Sequence, residues 1–252
     1  MTLRAFLREG PFALGLSSGF FGFFAHAGAL LALEEAGLVP SRVTGSSAGA
    51  LVGGLWAAGL DATHLRDELG RLRREDFWDP APGLGLLRGR LFRERLEALV
   101  PGATFARCRA PLAVSVWDVL SRRTRVLDGG ALAPALHASC AVPGLFHPAW
   151  VEGRPLLDGG IADRPGLAGM PAGERVLFHH LAARSPWRRA ASPSIAVPRR
   201  EGLVAVVIEG LPRVGPFRLP EGPRAFRAAH LAMKRALDAP VSDGVVVLGA
   251  DP

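Results

Sequence analysis

The sequence predicts a three-layer α/β fold built around a central, mostly parallel sheet. Short apolar segments typical of buried strands alternate along the chain with longer segments whose apolar residues recur at helical spacing. No internal repeat and no coiled-coil heptad breaks this alternation. Of the 252 residues, 49% are apolar, which suffices for a substantial core, and we predict a single domain over residues 1–252.

The N-terminal part of the chain contains two successive units of strand, turn and helix. A strand is predicted over 12–16 and a helix over 23–36, which Gly37 would end as a C-cap. A second strand over 42–44 leads through a glycine-flanked turn into a helix of small residues that ends near Ala58. This alternation is what predicts the layered arrangement.

The remaining elements extend the same pattern. Amphipathic helices over 61–74 and 91–100 would cover the sheet, and strands over 112–119 and 124–127 would extend it as a hairpin. A loop-rich stretch with three prolines then leads to Asp158. Further helices are predicted over 131–139 and 223–237, and further strands over 176–181 and 203–208.

Composition and charge narrow the classes of function. The net charge of +7 comes almost wholly from arginine, since Lys234 is the only lysine, and reflects either a GC-rich genome or an anionic partner such as a phospholipid surface or nucleic acid. The arginines are scattered without a nucleic-acid-binding motif, so we expect no nucleic-acid partner. Cys108 and Cys140 lack the spacing of a metal site or a disulfide framework, and no metal or organic cofactor is implied.

The N-terminus carries a pattern with two interpretations. Arg4 and Arg8 precede an apolar run over 12–25, and Ala25-His26-Ala27 resembles the cleavage site of a signal peptide. Glycine and serine interrupt the run, which suits a strand, a loop and a helix start better than a continuous signal-peptide core. We therefore predict a cytoplasmic protein that keeps its N-terminus and makes at most peripheral contact with a membrane.

The strongest local motif is Gly45-Ser46-Ser47-Ala48-Gly49, which lies between a predicted strand and a predicted helix. In that context G-x-S-x-G forms a nucleophile elbow. The elbow holds its serine in a strained backbone conformation, and the small residues Gly45 and Gly49 let strand and helix approach each other. Ser47 is therefore the candidate nucleophile. A helix N-cap without chemistry is the alternative.

A second candidate lies between the first predicted strand and its helix, at Ser17-Ser18-Gly19-Phe20-Phe21-Gly22. A turn of this kind presents backbone N–H groups, the donors that an acyl-transfer enzyme directs at an oxyanion. We take Ser18, Gly19 and Phe20 as the candidate oxyanion hole. Alternatives are an ordinary tight turn and a phosphate-binding loop, although the latter's glycine and lysine pattern is absent.

A carboxylate for the serine is offered by Asp158-Gly159-Gly160. An aspartate at a strand end before two glycines can approach another backbone closely, and beside Ser47 it would accept the serine proton directly. The same three residues recur at Asp128-Gly129-Gly130, and Asp-Gly is also a common turn pair. Residue pattern alone leaves both triplets open.

Four segments, taken in order, resemble the signature blocks of the patatin-like phospholipase family. They are Leu14–Leu33 with its Ala25-His26-Ala27-Gly28, then Gly45–Ala50, Ala138–Phe146 and Asp158–Gly160. The resemblance implies a lipid acyl hydrolase in which Ser47 and Asp158 form a catalytic dyad without histidine and work through an acyl-enzyme. It implies a lipid or small ester as substrate, and it makes Asp128 part of a turn.

The chain departs from the family in its oxyanion loop. The family usually has Gly-Gly-Gly-x-Arg/Lys-Gly, where this chain has two serines, no basic residue and one residue more before His26. The lost cation weakens the expectation of phospholipid over neutral ester. Alternatives are therefore an esterase, thioesterase or acyltransferase acting on other substrates, or a catalytically silent lipid-binding regulatory protein.

Two further expectations concern histidine and lipid contact. His179, His180 and His230 follow Asp158, so the chain order of an ordinary serine, aspartate and histidine triad exists, although none has a distinctive motif. We expect a structural role for His26. Over residues 183–202, Trp187 lies among arginines, which suits either an anionic membrane surface or a solvated loop.

Overall fold

The computed structural model describes residues 1–182 and 196–250. Its strands are β1 (Ala13–Leu16), β2 (Arg42–Ser46), β3 (Gly85–Leu87), β4 (Leu112–Asp118), β5 (Arg123–Leu127), β6 (Gly144–Phe146), β7 (Ala149–Val151), β8 (Arg154–Asp158), β9 (Val176–His180), β10 (Leu203–Glu209) and β11 (Val245–Gly249). Its helices are α1 (Leu3–Arg8), α2 (Phe23–Glu35), α3 (Ala48–Ala57), α4 (Ala62–Gly70), α5 (Arg90–Leu99), α6 (Leu132–Ser139) and α7 (Gly222–Asp238).

One large sheet runs through the centre of the described residues. Its strand order is β11-β10-β9-β1-β2-β4-β8-β7, and β5 pairs with β4 as well. The pairings from β11 to β4 are all parallel, whereas β5, β7 and β8 are antiparallel to their neighbours. The prediction of a mostly parallel central sheet flanked by helices is thus confirmed.

Alternating residues of the central strands face two hydrophobic cores. Leu14 and Leu177 belong to the larger core, which the helices cover, whereas their neighbours Ala13 and Phe178 belong to a smaller core on the other face. Every residue of β1 and β9 is buried. Burial on both faces explains why these strands read as continuous apolar runs in the sequence.

Several short elements were not predicted. Helix α1 is capped by the Thr2 hydroxyl, which accepts a hydrogen bond from the backbone N–H of Ala5 at 3.2 Å. Strands β3 and β6 pair with each other as a separate two-stranded sheet. The stretch predicted to be loop contains β6 and β7, and β11 adds a parallel strand at the sheet edge. Within the described ranges, no helix combines the length and apolar character that a membrane crossing requires.

Candidate active site

Ser47 lies in the turn between β2 and α3 and has φ 52° and ψ −119°. A side chain at positive φ is strained, and such strain persists only where the surrounding structure enforces it. Strand β2 lies between β1 and β4, so Ser47 is placed at the carboxyl ends of the parallel strands. This is the edge at which open parallel sheets bind their ligands.

Steric constraints require glycine at the two positions that flank the Ser47 turn. A Cβ on Gly45 would lie 2.6 Å from the backbone nitrogen of Ala50, and one on Gly49 would overlap the carbonyl oxygen of Leu16. No residue larger than glycine fits at either position while strand and helix keep this distance. The local geometry is therefore a tight strand-to-helix turn that requires glycine on both sides of Ser47.

Asp158 ends β8, and its carboxylate contacts the serine. The Ser47 hydroxyl donates a hydrogen bond to Asp158 Oδ2 at 2.6 Å, and Asp158 Oδ1 accepts one from the Gly160 N–H at 2.7 Å. Both side chains are buried. The carboxylate is thus held from one side by backbone and directed at the serine from the other.

The two Asp-Gly-Gly triplets have different surroundings. A Cβ on Gly159 would overlap the carbonyl oxygen of Ser115 and lie 2.7 Å from Ser46 Oγ, whereas one on Gly129 would meet nothing within 4 Å. Asp128 is exposed in the turn after β5. Only the triplet at Asp158 approaches the elbow.

Ser139 supports the elbow from α6, a role that was not predicted. Its hydroxyl accepts a hydrogen bond from the Ser47 N–H at 2.9 Å and donates one to the carbonyl of Ser115 at 2.7 Å. The hydroxyl thereby ties the strained turn to β4. Ser139 lies in the third block of the family resemblance, which was the sequence signal for it.

The loop after β1 narrows the predicted set of oxyanion donors. The Ser18 N–H donates to the carbonyl of Arg164 at 2.7 Å, so it is directed away from a substrate at Ser47. Gly19 and Phe20 line the same pocket as Ser47. Phe21, in the same loop, has φ 53°, a conformation that is strained for a residue other than glycine.

Arg164 brings a cation beneath this loop, a feature that sequence reasoning missed. Its side chain is buried and its guanidinium donates to the carbonyl of Leu181 at 3.1 Å. The Leu181 side chain in turn packs against Gly19 and Gly22. The positive charge that the loop itself lacks is therefore supplied nearby from the segment after Asp158.

An apolar pocket opens in front of Ser47. The thiol of Cys140 neighbours the Ser47 hydroxyl, and burial, together with the charge of Asp158, raises the pKa of this thiol well above its ordinary value. The thiol is therefore protonated at neutral pH. The walls are mainly aliphatic and aromatic, including Phe21, Phe23, Leu51, Leu55, Phe77, Leu96 and Phe146.

His26, His179 and His230 bond to partners other than Ser47 and Asp158. His26 Nε2 bonds to the carbonyl of Ser17 at 2.8 Å, and His26 Nδ1 bonds to His179 Nδ1 at 2.9 Å. Since a carbonyl only accepts, His26 carries its proton on Nε2, and His179 donates from Nδ1. Burial lowers the pKa of His26 to about 4. His230 bonds to Glu35 Oε2 at 2.9 Å, near the protein surface.

Two remaining expectations concern metal and lipid contact. Within residues 1–182 and 196–250, no group of three or more histidine, cysteine, aspartate or glutamate side chains is arranged to hold a metal ion. Trp187 and the arginines beside it, which suit either an anionic membrane surface or a solvated loop, lie outside the described residues.

Comparison with known proteins assigns the family. The family model for patatin-like phospholipase matches residues 14–169, a span that contains the elbow, the Asp158 triplet and the strands between them. The chain belongs to the patatin-like phospholipase family. This span covers more than half of the chain, and all four blocks of the predicted resemblance lie within it.

Relatives in this family are found in bacteria and fungi. An uncharacterized NTE family protein of Mycobacterium tuberculosis is 35% identical over 154 residues, which are 60% of this chain and 43% of that protein. Lysophospholipase nte1 of Emericella nidulans is 28% identical over 162 residues, 61% of this chain and 11% of the fungal one. The chain thus spans less than half the length of these curated relatives.

A solved structure supports the fold independently of sequence. VipD from Legionella pneumophila superposes with a TM-score of 0.56 at 17% identity, over 79% of this chain and 50% of that one. At this identity the likeness concerns the arrangement of sheet and helices. It agrees with the patatin-like fold predicted from the sequence.

Proposed function

We propose that this chain is a lipid acyl hydrolase that cleaves carboxylic esters of lipids through a Ser47–Asp158 dyad. The observation that carries the proposal is the 2.6 Å hydrogen bond from the Ser47 hydroxyl to Asp158 Oδ2, at the floor of an apolar pocket. Membership in the patatin-like phospholipase family supports the ester as the bond that is cleaved.

In the proposed reaction Asp158 accepts the serine proton while Ser47 Oγ attacks the ester carbonyl carbon. The N–H groups of Gly19 and Phe20, with the positive end of α3, stabilise the negative charge on the carbonyl oxygen. Collapse of this intermediate breaks the ester bond, and the leaving alcohol takes the proton from Asp158. Water then attacks the acyl carbonyl carbon and gives a proton to Asp158. Collapse of this second intermediate releases the fatty acid, and Asp158 returns the proton to Ser47 Oγ.

The substrate is proposed to be a lipid with its acyl chain among the apolar side chains of the pocket. Arg164 offers a buried positive charge beside the loop after β1, and we propose that it compensates in part for the basic residue that the loop lacks. We propose that the protein works in the cytoplasm and contacts lipid peripherally. Cell fractionation of its bacterial host tests that location.

A fluorophosphonate probe tests the proposal, because only an activated serine is labelled. We expect labelling of the parent protein and none of Ser47→Ala. Hydrolysis of a phospholipid, compared with a short aryl ester, then separates a phospholipase from an esterase of other substrates. A folded parent protein that is not labelled would instead identify a silent lipid-binding member of the family.

A further inference from the structure

Aromatic side chains reach the surface beside the mouth of the pocket. Phe20 lines the pocket, yet 49% of it is exposed. Phe217 is 71% exposed, and its ring packs edge-on against Trp78 with 5.6 Å between centroids. We call Phe20, Trp78, Phe217 and Arg74 the rim patch. Exposed aromatic groups beside a cavity commonly mark an interaction surface.

The rim patch is continuous with the pocket. A Cβ on Gly215 would lie 3.9 Å from Phe20 Cε1, so the loop that carries Phe217 lies against the tip of the oxyanion loop. Phe77, the neighbour of Trp78 in the chain, lines the pocket. The ring of Phe21 connects the two sides, with centroid distances of 5.9 Å to Phe77 and 5.0 Å to Phe20.

The rim patch is basic as well as aromatic. The Arg74 guanidinium carbon lies 5.7 Å from the ring centroid of Trp78 and 5.4 Å from that of Phe217, as in cation–π contacts. The same two segments also expose arginines at positions 73, 213 and 218. Among residues 73–79 and 213–218, Glu75 is exposed, whereas Asp76 pairs with Arg95 and Asp79 accepts from the backbone at the start of α5, and both aspartates are half-buried. The four exposed arginines therefore leave the rim patch with a net positive charge.

We propose that the rim patch docks on an anionic lipid surface. Aromatic side chains suit the boundary between headgroups and acyl chains, and each arginine near an anionic surface attracts it electrostatically. Docking in this orientation presents the pocket mouth to the lipid. An acyl chain would then pass from the lipid phase into the pocket without crossing water. The delivery of an acyl chain to the pocket rests on the proposed function, whereas binding of the rim patch to the lipid surface does not.

Vesicle sedimentation with the full chain carrying Ser47→Ala tests the proposal without lipid turnover. The vesicles contain phosphatidylcholine with one part in five phosphatidylglycerol. We expect Phe217→Ser to weaken binding about tenfold and Arg74→Gln about fivefold, the latter corresponding to about 1 kcal/mol for a basic residue near an anionic surface. Val39→Ser is the control, because Val39 is 64% exposed and precedes β2, at the end of the parallel strands opposite the one that carries Ser47 and Phe20.

The position of the contact is read from tryptophan fluorescence. Lipids brominated on the acyl chain should quench the bound protein, and this quenching should be much reduced in Trp78→Phe. Equal binding by Phe217→Ser, Arg74→Gln and the parent would overturn the proposal. The proposal would also be overturned if the parent protein did not bind vesicles and instead formed dimers that the Phe217→Ser substitution dissociates. If the parent protein bound vesicles but did not hydrolyse esters, the proposed function would be refuted and the docking proposal would be unaffected.

Discussion

Ser46 and Asp158 lie opposite adjacent residues of β4, on the same edge of that strand. Ser46 is paired with Ser115 in parallel register, and Asp158 with Val116 in antiparallel register. Strands β2 and β8 therefore run towards each other, and their C-terminal ends meet beside β4. Since Ser47 follows Ser46 directly, backbone pairing with β4 sets the distance between the proposed nucleophile and its carboxylate.

Replacing either member of the dyad should abolish ester hydrolysis. Asp158→Asn keeps the shape of the side chain but removes the proton acceptor, and Ser47→Ala removes the nucleophile. We expect rate losses of about 10²- to 10⁴-fold or more for each. Hydrolysis of a soluble ester, measured beside a thermal melt, checks this. Asp128→Asn, in the exposed triplet, should keep most of the activity.

A histidine base would give a different result. His179→Ala, His180→Ala and His230→Ala should each keep most of the activity of the folded protein, because Asp158 contacts Ser47 directly. His26 and His179 contact each other in the core, so the melt must show that His179→Ala is folded. A folded histidine variant without activity would return the chain to an ordinary triad.

The two Asp-Gly-Gly triplets offer a matched steric test. Gly159→Ala should destabilise the protein by roughly 1–3 kcal/mol and lower its activity, because the added methyl group overlaps the Ser115 carbonyl. Gly129→Ala should change the free energy of unfolding by less than about 0.5 kcal/mol, since its methyl group meets open space. Denaturant unfolding of both variants measures the difference. Equal effects would contradict the close approach of Gly159 to β4.

Removing the hydroxyl of Ser139 should weaken both stability and catalysis. Ser139→Ala leaves the buried N–H of Ser47 and the carbonyl of Ser115 without this partner, which costs about 1–3 kcal/mol. Because the elbow then loses its tie to β4, we expect kcat to fall more than KM rises. Ser139→Thr keeps the hydroxyl and should restore part of kcat. An unchanged kcat in a folded Ser139→Ala protein would limit Ser139 to a structural role.

Stability should fall as the pH drops from about 6.5 towards 4. Burial lowers the pKa of His137 to about 4, so between these values the unfolded chain binds a proton that the folded chain does not. The unfolded state binds more protons, and acidification therefore favours unfolding, by roughly 3 kcal/mol per such histidine over the whole interval. Denaturant unfolding from pH 6.5 to 5 should show a shallower slope for His137→Leu. An unchanged slope in a folded His137→Leu protein would contradict this prediction.

The sequence predicted those elements whose signals are local. Helix α2 was predicted over 23–36 and is observed over Phe23–Glu35. Its signals are local, since apolar residues recur at helical spacing and Gly37 follows them. The elbow at Ser47 was found because strand, small residues and helix follow each other directly. Strands β3 and β6 have three residues each, too few to show periodicity, and they depend on pairing with each other.

The site was predictable only where a motif marks it. Ser47 follows from G-x-S-x-G, but the choice of Asp158 over Asp128 needed the family resemblance, since the residues of the two triplets are identical. The contact of the Ser18 N–H with Arg164 joins distant parts of the chain, and no local pattern reports such a contact. For the same reason, Gly19 and Phe20 could not be separated from Ser18 in advance.

The meeting of β2 and β8 beside β4 also affects how the protein folds. Ser47 and Asp158 are 111 residues apart, and their contact exists only when both strands have paired with β4. Such long-range pairings form late, because the entropy of closing the intervening loop must be overcome first. Recovery of hydrolysis after dilution from denaturant should therefore lag behind the far-ultraviolet signal of the helices. The return of enzyme activity would then report when β2 and β8 have both paired with β4.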